Sequence, residues 1–159
     1  MGSRPGEYWM VCGLPCSGNR LVNWRISQGR VATKVHHGMQ PERLATAHML
    51  VIPYRIDENA RQRSIRRQGM EHRWPPDRDL TCRKNVIEAM KTTPWFSISY
   101  EAILESKGQA LDDILVGTYG FNLPAWRTDV SDAARPERGP IFANEEERLL
   151  AHERQASGP

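Results

Sequence analysis

The residues best suited to chemistry lie near the start of the chain, in the stretch GLPCSGNR at 13–20. Four residues separate Gly13 from Gly18, which is the spacing of a loop that wraps a phosphate with its backbone N–H groups. In nucleotide hydrolases such a loop continues with Lys and then with a hydroxyl residue that binds Mg²⁺. Here Asn19 and Arg20 follow instead. A guanidinium offers donors and no metal ligand, so the loop predicts a phosphate or sulfate site that works without a metal. In the simpler interpretation, the glycines only form a turn.

Apolar and helical segments alternate around this loop and place it between a strand and a helix. Strands are predicted over residues 8–12, 30–37, 48–55 and 95–101, and helices over 18–27, 57–68, 83–91 and 108–120. Asp57 is a predicted N-cap, with Glu58 favourable in the first turn. This alternation predicts a three-layer α/β fold of the phosphate-loop type, with a mainly parallel sheet of roughly four to five strands between helices.

Two other segments complete the predicted organisation. Pro75 and Pro76 lie within residues 71–79, which we expect to form an irregular loop. One α/β domain is expected over 1–130, followed by a C-terminal extension over 131–159 with a helix near 144–155.

Composition restricts the classes of protein to consider. The 159 residues are 39% hydrophobic and 26% charged, enough for one core. The net charge is +3, but seven arginines lie between residues 55 and 78, a pattern that suits an anionic ligand better than a nucleic-acid duplex. Three cysteines without a CxxC spacing favour neither a disulfide framework nor a structural metal, so a reducing cytoplasm is expected. The apolar run near the N-terminus is too short for a signal peptide or a membrane span.

Four motifs, in order along the chain, resemble the sulfotransferases that use 3′-phosphoadenosine 5′-phosphosulfate. Their loop reads roughly Pro, Lys or Arg, Ser, Gly, Thr, Thr, and this chain has PCSGNR at 15–20. TKVHH at 33–37 is similar to their Lys-x-His at a strand end, and VIPYRIDENARQRS at 51–64 to their strand, Arg and helical Ser. FSISYEAIL at 96–104, followed by LDDILVGTYGF at 111–121, looks like their Tyr-Glu strand end and the next helix.

The resemblance implies transfer of a sulfuryl group from that donor to a hydroxyl or amine of a small-molecule or peptide acceptor, with 3′-phosphoadenosine 5′-phosphate as the product and no metal. It places Lys34 and His36 at catalytic positions. His36 would be the general base, because an imidazole with a pKa of about 6.5 accepts protons near neutrality, and His37 is its rival. Arg20 would act with the loop amides on the charge that develops at the leaving phosphate.

The resemblance also implies a set of ligand-binding residues: Pro15, Cys16, Ser17, Gly18, Asn19, Arg20, Arg55, Ser64 and Tyr100. Arg55 and Ser64 would bind the 3′-phosphate. Their spacing is one residue longer than in the family, which leaves Arg63 as a competitor. No nucleic acid or membrane is expected as a partner, and a homodimer stays open.

Each of these residues also has an ordinary structural interpretation. Lys34 would be a solvated strand end, the histidines and Ser64 would be structural, and Tyr100 would pack or cap a helix. Most of the arginines in the 57–68 helix are expected to be solvated, because they cannot share one face: Arg61, Arg63, Arg66 and Arg67. Trp74 and Trp95 are expected to pack rather than flank an adenine.

The main departure from the family concerns Cys16, which replaces the basic residue that contacts the bridging oxygen of the donor. The chain is also shorter than most family members. A catalytically inactive relative that binds a nucleotide or a protein partner is therefore the principal alternative. A nucleotide kinase or hydrolase ranks lower, since the loop lacks its lysine and hydroxyl. A nucleic-acid-binding protein ranks last, because no aromatic residues interleave with the arginines.

Overall fold

Strands and helices alternate along residues 6–126, the part of the chain that the computed structural model describes. The strands are β1 (Tyr8–Val11), β2 (Ala32–Val35), β3 (Met49–Tyr54) and β4 (Trp95–Ser99). The helices are α1 (Asn19–Gln28), α2 (Pro41–Leu44), α3 (Glu58–Arg67), α4 (Pro76–Met90), α5 (Tyr100–Glu105) and α6 (Gln109–Gly117). The predicted α/β class is confirmed, and the strands are a few residues shorter than expected.

The four strands form one parallel sheet in the order β2-β1-β3-β4. Val11 of β1 is in register with Val35 of β2 on one side and with Val51 of β3 on the other. Because all strands run the same way, their carboxyl ends meet at one edge of the sheet. The connections leave β1 towards one side for β2 and return to the other side for β3, and ligands bind at such a switch point in open α/β sheets.

Helices cover both faces of the sheet, which gives the predicted three layers. Alternate residues of a strand point to opposite faces, so Trp9 and Val11 contribute to one core and Met10 to the other. The larger core adds apolar residues of α1, α5 and α6: Leu21, Val22, Ile26, Ile103, Leu104, Leu111 and Leu115. In the smaller core, Leu44 of α2 and Val86 of α4 pack against Leu50 of β3.

Helix α4 corrects the prediction for the proline-rich segment. Residues 71–79 were expected to be irregular, with a helix only from residue 83. In the structure the helix begins at Pro76, and Pro75 is its N-cap residue in extended conformation. Proline suits the first helical position because the N–H that it lacks would have no intrahelical acceptor there and its φ is already helical. Asp77 and Asp79 then lie in the first turn, where the helix dipole favours them.

Helix termini account for the other differences. Tyr100 and Glu101 were expected to end a strand, but they begin α5, because Ser99 caps that helix by accepting a hydrogen bond from the Ala102 amide at 3.1 Å. The predicted cap of α3 is confirmed, since the Asp57 side chain accepts from the Ala60 amide at 3.0 Å.

The predicted C-terminal extension, with its helix near 144–155, lies outside the described residues. Within residues 6–126, none of the helices combines the length and the apolar character needed to cross a bilayer.

Candidate functional site

A cavity of about 560 Å³ opens at the carboxyl edge of the sheet, where the loop after β1 meets the end of β3. We call it the anion cavity, and it is lined by Pro15, Cys16, Gly18, Asn19, Arg20, Val35, His37, Arg55, Gln68, Met70, Arg73 and Tyr100. Three of these residues are arginines and none is Asp or Glu. The volume is in the range of small-molecule sites, and the charge of its walls suits an anion.

Gly18 sets the start of helix α1 beneath this cavity. It is the N-cap residue with φ 90°, a left-handed conformation that favours glycine. A Cβ at this position would lie 2.5 Å from Cδ1 of Tyr100, so the ring and the loop pack too closely for a side chain. As a glycine, Gly18 has no side chain with which to cap the first turn of α1. The first amides of a helix have no intrahelical acceptor and carry the positive end of its dipole, so this turn is open to an anion.

Two buried arginines donate hydrogen bonds to backbone carbonyls of the loop. Arg61 Nη1 donates to the Pro15 carbonyl at 3.1 Å, and Arg55 Nη1 donates to the Cys16 carbonyl at 3.0 Å. In a trans peptide the N–H points opposite to the C=O. The amides of Cys16 and Ser17 therefore point away from the two guanidinium groups. Cys16 adopts φ 64°, which is uncommon for a residue with a side chain, and these hydrogen bonds stabilise that conformation.

Asn19 does not project from the loop as the lysine of a nucleotide hydrolase does. Its Oδ1 accepts from the Gly13 amide at 3.0 Å, and its Nδ2 donates to the carbonyls of Gly13 and Leu14 at 2.9 and 3.1 Å. The side chain is buried and joins the two ends of the loop. Asn19 is thus a structural residue of the loop, and the charge near the ligand comes from arginines instead.

Arg61 is only 1% exposed, whereas the sequence suggested that most arginines of α3 would be solvated. It forms ion pairs with Glu58 and with Asp79. Burial alone lowers the pKa of Arg61, but the hydrogen bonds and charges of both carboxylates outweigh burial and raise it. The i, i+3 spacing of Glu58 and Arg61 was visible in the sequence. The contact with Asp79 depends on how α4 packs.

His37 is the histidine that lines the anion cavity. Its Nδ1 lies 2.8 Å from the Gly13 carbonyl, which can only accept, so Nδ1 carries the proton and Nε2 is an acceptor. The Nδ2 of Asn19, 3.5 Å from the same Nδ1, is then a neighbour rather than a donor. Burial lowers the pKa of His37, although the hydrogen bond to Gly13 and the charge of Asp79 oppose the shift. The imidazole is therefore neutral at pH 7 and able to accept a proton.

Lys34 and His36, the predicted catalytic pair, do not line the anion cavity. Lys34 lies in β2 and is followed by Val35, which lines the cavity; His36 and His37 follow the end of the strand, and of these two only His37 is in the lining. Lys34 is exposed, and His36 Nδ1 accepts from the Gly38 amide at 3.1 Å. Burial and the neighbouring cations lower the pKa of His36 as well.

Some of the residues predicted to bind the donor line the anion cavity, and others do not. Arg55 and Tyr100 line the anion cavity, and the Arg55 guanidinium lies 5.1 Å from the Tyr100 ring. Glu101 supports Arg55 from behind, with its carboxylate 3.4 Å from Arg55 Nε. Ser64 is buried in α3 and does not line the cavity. Arg63 also lies outside the lining, in a long 3.9 Å ion pair with Asp57.

The turn between α3 and α4 supplies residues that no motif indicated. Gln68, Met70 and Arg73 line the anion cavity, and Gln68 Nε2 lies 3.5 Å from Cys16 Sγ across it. Trp74 packs edge-on against the His37 ring at 5.0 Å, in agreement with the expected packing role of Trp74.

Comparisons with protein-family models, curated proteins and solved structures find no match to this chain. The interpretation of the site therefore depends on its own residues. Within the described part of the chain, no three His, Cys, Asp or Glu side chains are grouped to hold a metal ion.

Proposed function

We propose that the anion cavity binds 3′-phosphoadenosine 5′-phosphosulfate and that the protein is a sulfotransferase. The proposal depends chiefly on one observation. The cavity is formed by a glycine loop at a helix N-terminus, three arginines and a neutral histidine, and no carboxylate lines it. A nucleotide bound through Mg²⁺ needs carboxylate or hydroxyl ligands for the ion. Phosphate and sulfate groups bound directly by the protein need N–H donors and positive charge, which are the groups present here.

The chain's residues match the requirements of sulfuryl transfer. The S–O bond to the leaving phosphate breaks while sulfur forms a new bond to the acceptor oxygen or nitrogen, so negative charge develops on the leaving oxygen. Arg20, with the amides at the start of α1, would stabilise that charge. Arg55 would take part from the end of β3 and also maintain the conformation of the loop through the Cys16 carbonyl.

We assign the general base to His37. The acceptor hydroxyl or amine loses a proton as it attacks, and Nε2 of His37 is the unprotonated nitrogen. The hydrogen bond from Nδ1 to Gly13 would stabilise the imidazolium that forms, because the charged ring donates a stronger hydrogen bond to a carbonyl than the neutral ring does. His36, which the resemblance indicates, follows the end of β2 and does not line the cavity.

One observation favours a second function, a catalytically inactive binder of the same nucleotide or of a protein partner. Lys34 is exposed and outside the lining, and Cys16 occupies the other position where the resemblance expects a catalytic cation. Arg20 and Arg73 are then the remaining exposed cations at the cavity. Binding and turnover have to be measured separately to distinguish the two functions.

Calorimetric titration tests the binding step, with 3′-phosphoadenosine 5′-phosphate and with ATP plus Mg²⁺ as ligands. We expect the first to bind and to lose about tenfold or more in affinity in Arg20→Ala, since a charge-assisted hydrogen bond contributes about 1.5–3 kcal/mol. Arg66→Ala is the matched control, because Arg66 is equally exposed but outside the cavity lining. A preference for ATP with Mg²⁺ contradicts the proposal.

Turnover is tested with donor labelled in its sulfuryl group and a panel of phenols, alcohols, amines and tyrosine peptides. We expect His37→Gln to lower the transfer rate by about 100-fold or more while product binding stays within a fewfold of wild type. His36→Gln should keep its activity. Donor binding without transfer by the wild-type chain would establish the inactive binder instead.

A further inference from the structure

The turn at residues 68–75 forms a wall of the anion cavity that none of the sequence motifs includes. It follows α3 and leads into α4, and three of its side chains line the cavity: Gln68, Met70 and Arg73. Of the three, only Arg73 carries a charge. Arg73 thus lies on a different element from Arg20, which belongs to the first turn of α1.

The backbone of Arg73 is held on both sides. Its amide donates to the Met70 carbonyl at 3.0 Å, and its carbonyl accepts from Arg78 Nη1 at 2.7 Å. The next residue, Trp74, is fixed between the His37 ring and the guanidinium of Arg78, whose central carbon lies 5.6 Å from the indole centroid. These contacts fix the turn against His37, which lines the anion cavity. Fewer backbone degrees of freedom remain to be ordered when a ligand binds Arg73, which favours affinity.

Several other arginines already contact acceptors of the protein. Arg61, Arg63 and Arg83 each form an ion pair with a carboxylate, and Arg55 contacts both the Cys16 carbonyl and Glu101. Among the described residues, Arg73 has no ion-pair partner, and neither does Arg20. Both are exposed and both line the cavity. Two guanidinium groups on separate elements suit two separate anionic groups of one ligand.

We propose that Arg73 is a specificity-determining residue that binds a second anionic group, so that the anion cavity selects ligands with two separated phosphate or sulfate groups over ligands with one. This inference deepens the proposed function. It places Arg73 at the 3′-phosphate, where the resemblance implies Arg55 with Ser64 or Arg63; Arg55 lines the cavity, and Ser64 and Arg63 do not. The first anionic group lies at the start of α1 beside Arg20.

The test is calorimetric titration of 3′-phosphoadenosine 5′-phosphate and of 5′-AMP, which lacks the 3′-phosphate. We expect Arg73→Ala to lower the affinity for the bisphosphate by about 10- to 100-fold, the range of a charge-assisted hydrogen bond, and to leave that for 5′-AMP within about threefold. Arg73→Lys should recover part of the loss, because it keeps the charge without the planar fork. Arg66→Ala should change neither affinity.

The outcomes separate this inference from the proposed function. If the bisphosphate binds the wild type and Arg73→Ala weakens both ligands equally or neither, Arg73 does not select the second group, and the nucleotide site stands. If neither nucleotide binds the wild type, the proposed function is wrong, and the same variants are titrated with fructose 1,6-bisphosphate and fructose 6-phosphate. Selective loss of the sugar bisphosphate in Arg73→Ala then supports a two-anion site. Binding of none of the four ligands overturns both proposals. Thermal unfolding of each variant verifies the fold.

Discussion

Two cavities share Arg55 as a wall and differ sharply in character. The anion cavity has three arginines and no carboxylate in its lining. The second cavity, of about 390 Å³, also includes three arginines, Arg55, Arg61 and Arg83, but Glu58 lies among them. Glu58 forms ion pairs with Arg61 at 2.6 Å and with Arg83 at 3.0 Å. The two cavities therefore have the same number of arginines but differ in how these are paired: Glu58 pairs with two of them in the second cavity, whereas, among the described residues of the anion cavity, Glu101 pairs only with the shared Arg55.

The rest of the second cavity is apolar, and we call it the apolar cavity. Its wall includes three large side chains that are unusually exposed: Tyr54 at 44%, Ile87 at 58% and Trp95 at 44%. They belong to the end of β3, to α4 and to the edge strand β4. The anion cavity instead has three arginines in its lining, together with the polar side chains of Asn19, His37 and Gln68. The following predictions test how far the two cavities are independent.

The largest effect on stability is expected for Arg61, which donates to the Pro15 carbonyl in the loop after β1 and also lines the apolar cavity. Arg61→Ala leaves the buried Asp79 and the Pro15 carbonyl without their donor and should destabilise the fold by about 3–5 kcal/mol. Urea unfolding measures the change. Arg83→Ala removes an exposed partner of the same Glu58 and should cost less than about 1 kcal/mol. Equal effects of the two variants would show that burial does not distinguish these arginines.

A carboxylate placed in the anion cavity should pair with its arginines, as Glu58 does in the apolar cavity. Gln68→Glu introduces a negative charge beside Cys16 and should lower the affinity for 3′-phosphoadenosine 5′-phosphate by about tenfold, through repulsion and pairing with the arginines. Asn59→Asp adds the same charge at an exposed position of α3 outside either lining and serves as the control. Calorimetry measures both. Unchanged affinity in Gln68→Glu would show that the anion binds elsewhere.

A smaller effect concerns the pH dependence of stability. Burial lowers the pKa of His37 below its ordinary value of 6.5. The unfolded chain therefore binds more protons than the folded chain between the two pKa values, and stability falls as the pH drops below about 6.5. We expect His37→Gln to be less sensitive to acid than wild type in urea unfolding at several pH values from 7.5 to 5. An equally steep loss in the variant would assign the effect to other groups, His36 first.

The smallest effect is expected at the rim of the apolar cavity. Ile87→Lys changes an exposed side chain and should alter stability by less than about 0.5 kcal/mol. It should also leave the affinity of the anion cavity unchanged, as Val116→Lys on the exposed side of α6 should. Binding curves of the two variants are compared directly. Weaker anion binding in Ile87→Lys alone would show that the cavities are coupled, through the shared Arg55.

Local sequence patterns predicted the presence of the main helices and strands better than the residues at which they begin and end. The alternation of apolar and amphipathic segments was sufficient for the α/β class, because periodicity is a local property. The start of α4 at Pro76 was missed, although proline is common at a first helical position. Tyr100 was placed in a strand because its neighbours are apolar, and the capping Ser99 was the signal for a helix start.

The anion cavity was predictable only in part. Loop residues such as Gly18 and Arg20 were identified because their role depends on spacing along the chain. Arg73 was not, since the turn that carries it meets the cavity only through the packing of Trp74 on His37. Asn19 was expected near the ligand and lines the cavity, but its hydrogen bonds turn inward to the loop. The role of each candidate in binding stays a prediction until the variants are measured.

The sequence by itself determined a strand, a glycine loop and a helix in succession, because these depend on residues close together in the chain. It also predicted that Lys34 and His36 would share one side of a strand over 30–37, since side chains alternate in a strand. Only the tertiary structure decided that the strand ends at Val35 and that His37, rather than Lys34 or His36, lines the cavity, because this depends on the position of β2 beside β1. Packing likewise decided which of these arginines are paired: carboxylates from α3 and α4 form ion pairs with Arg61, and none lines the cavity beside Arg20 and Arg73.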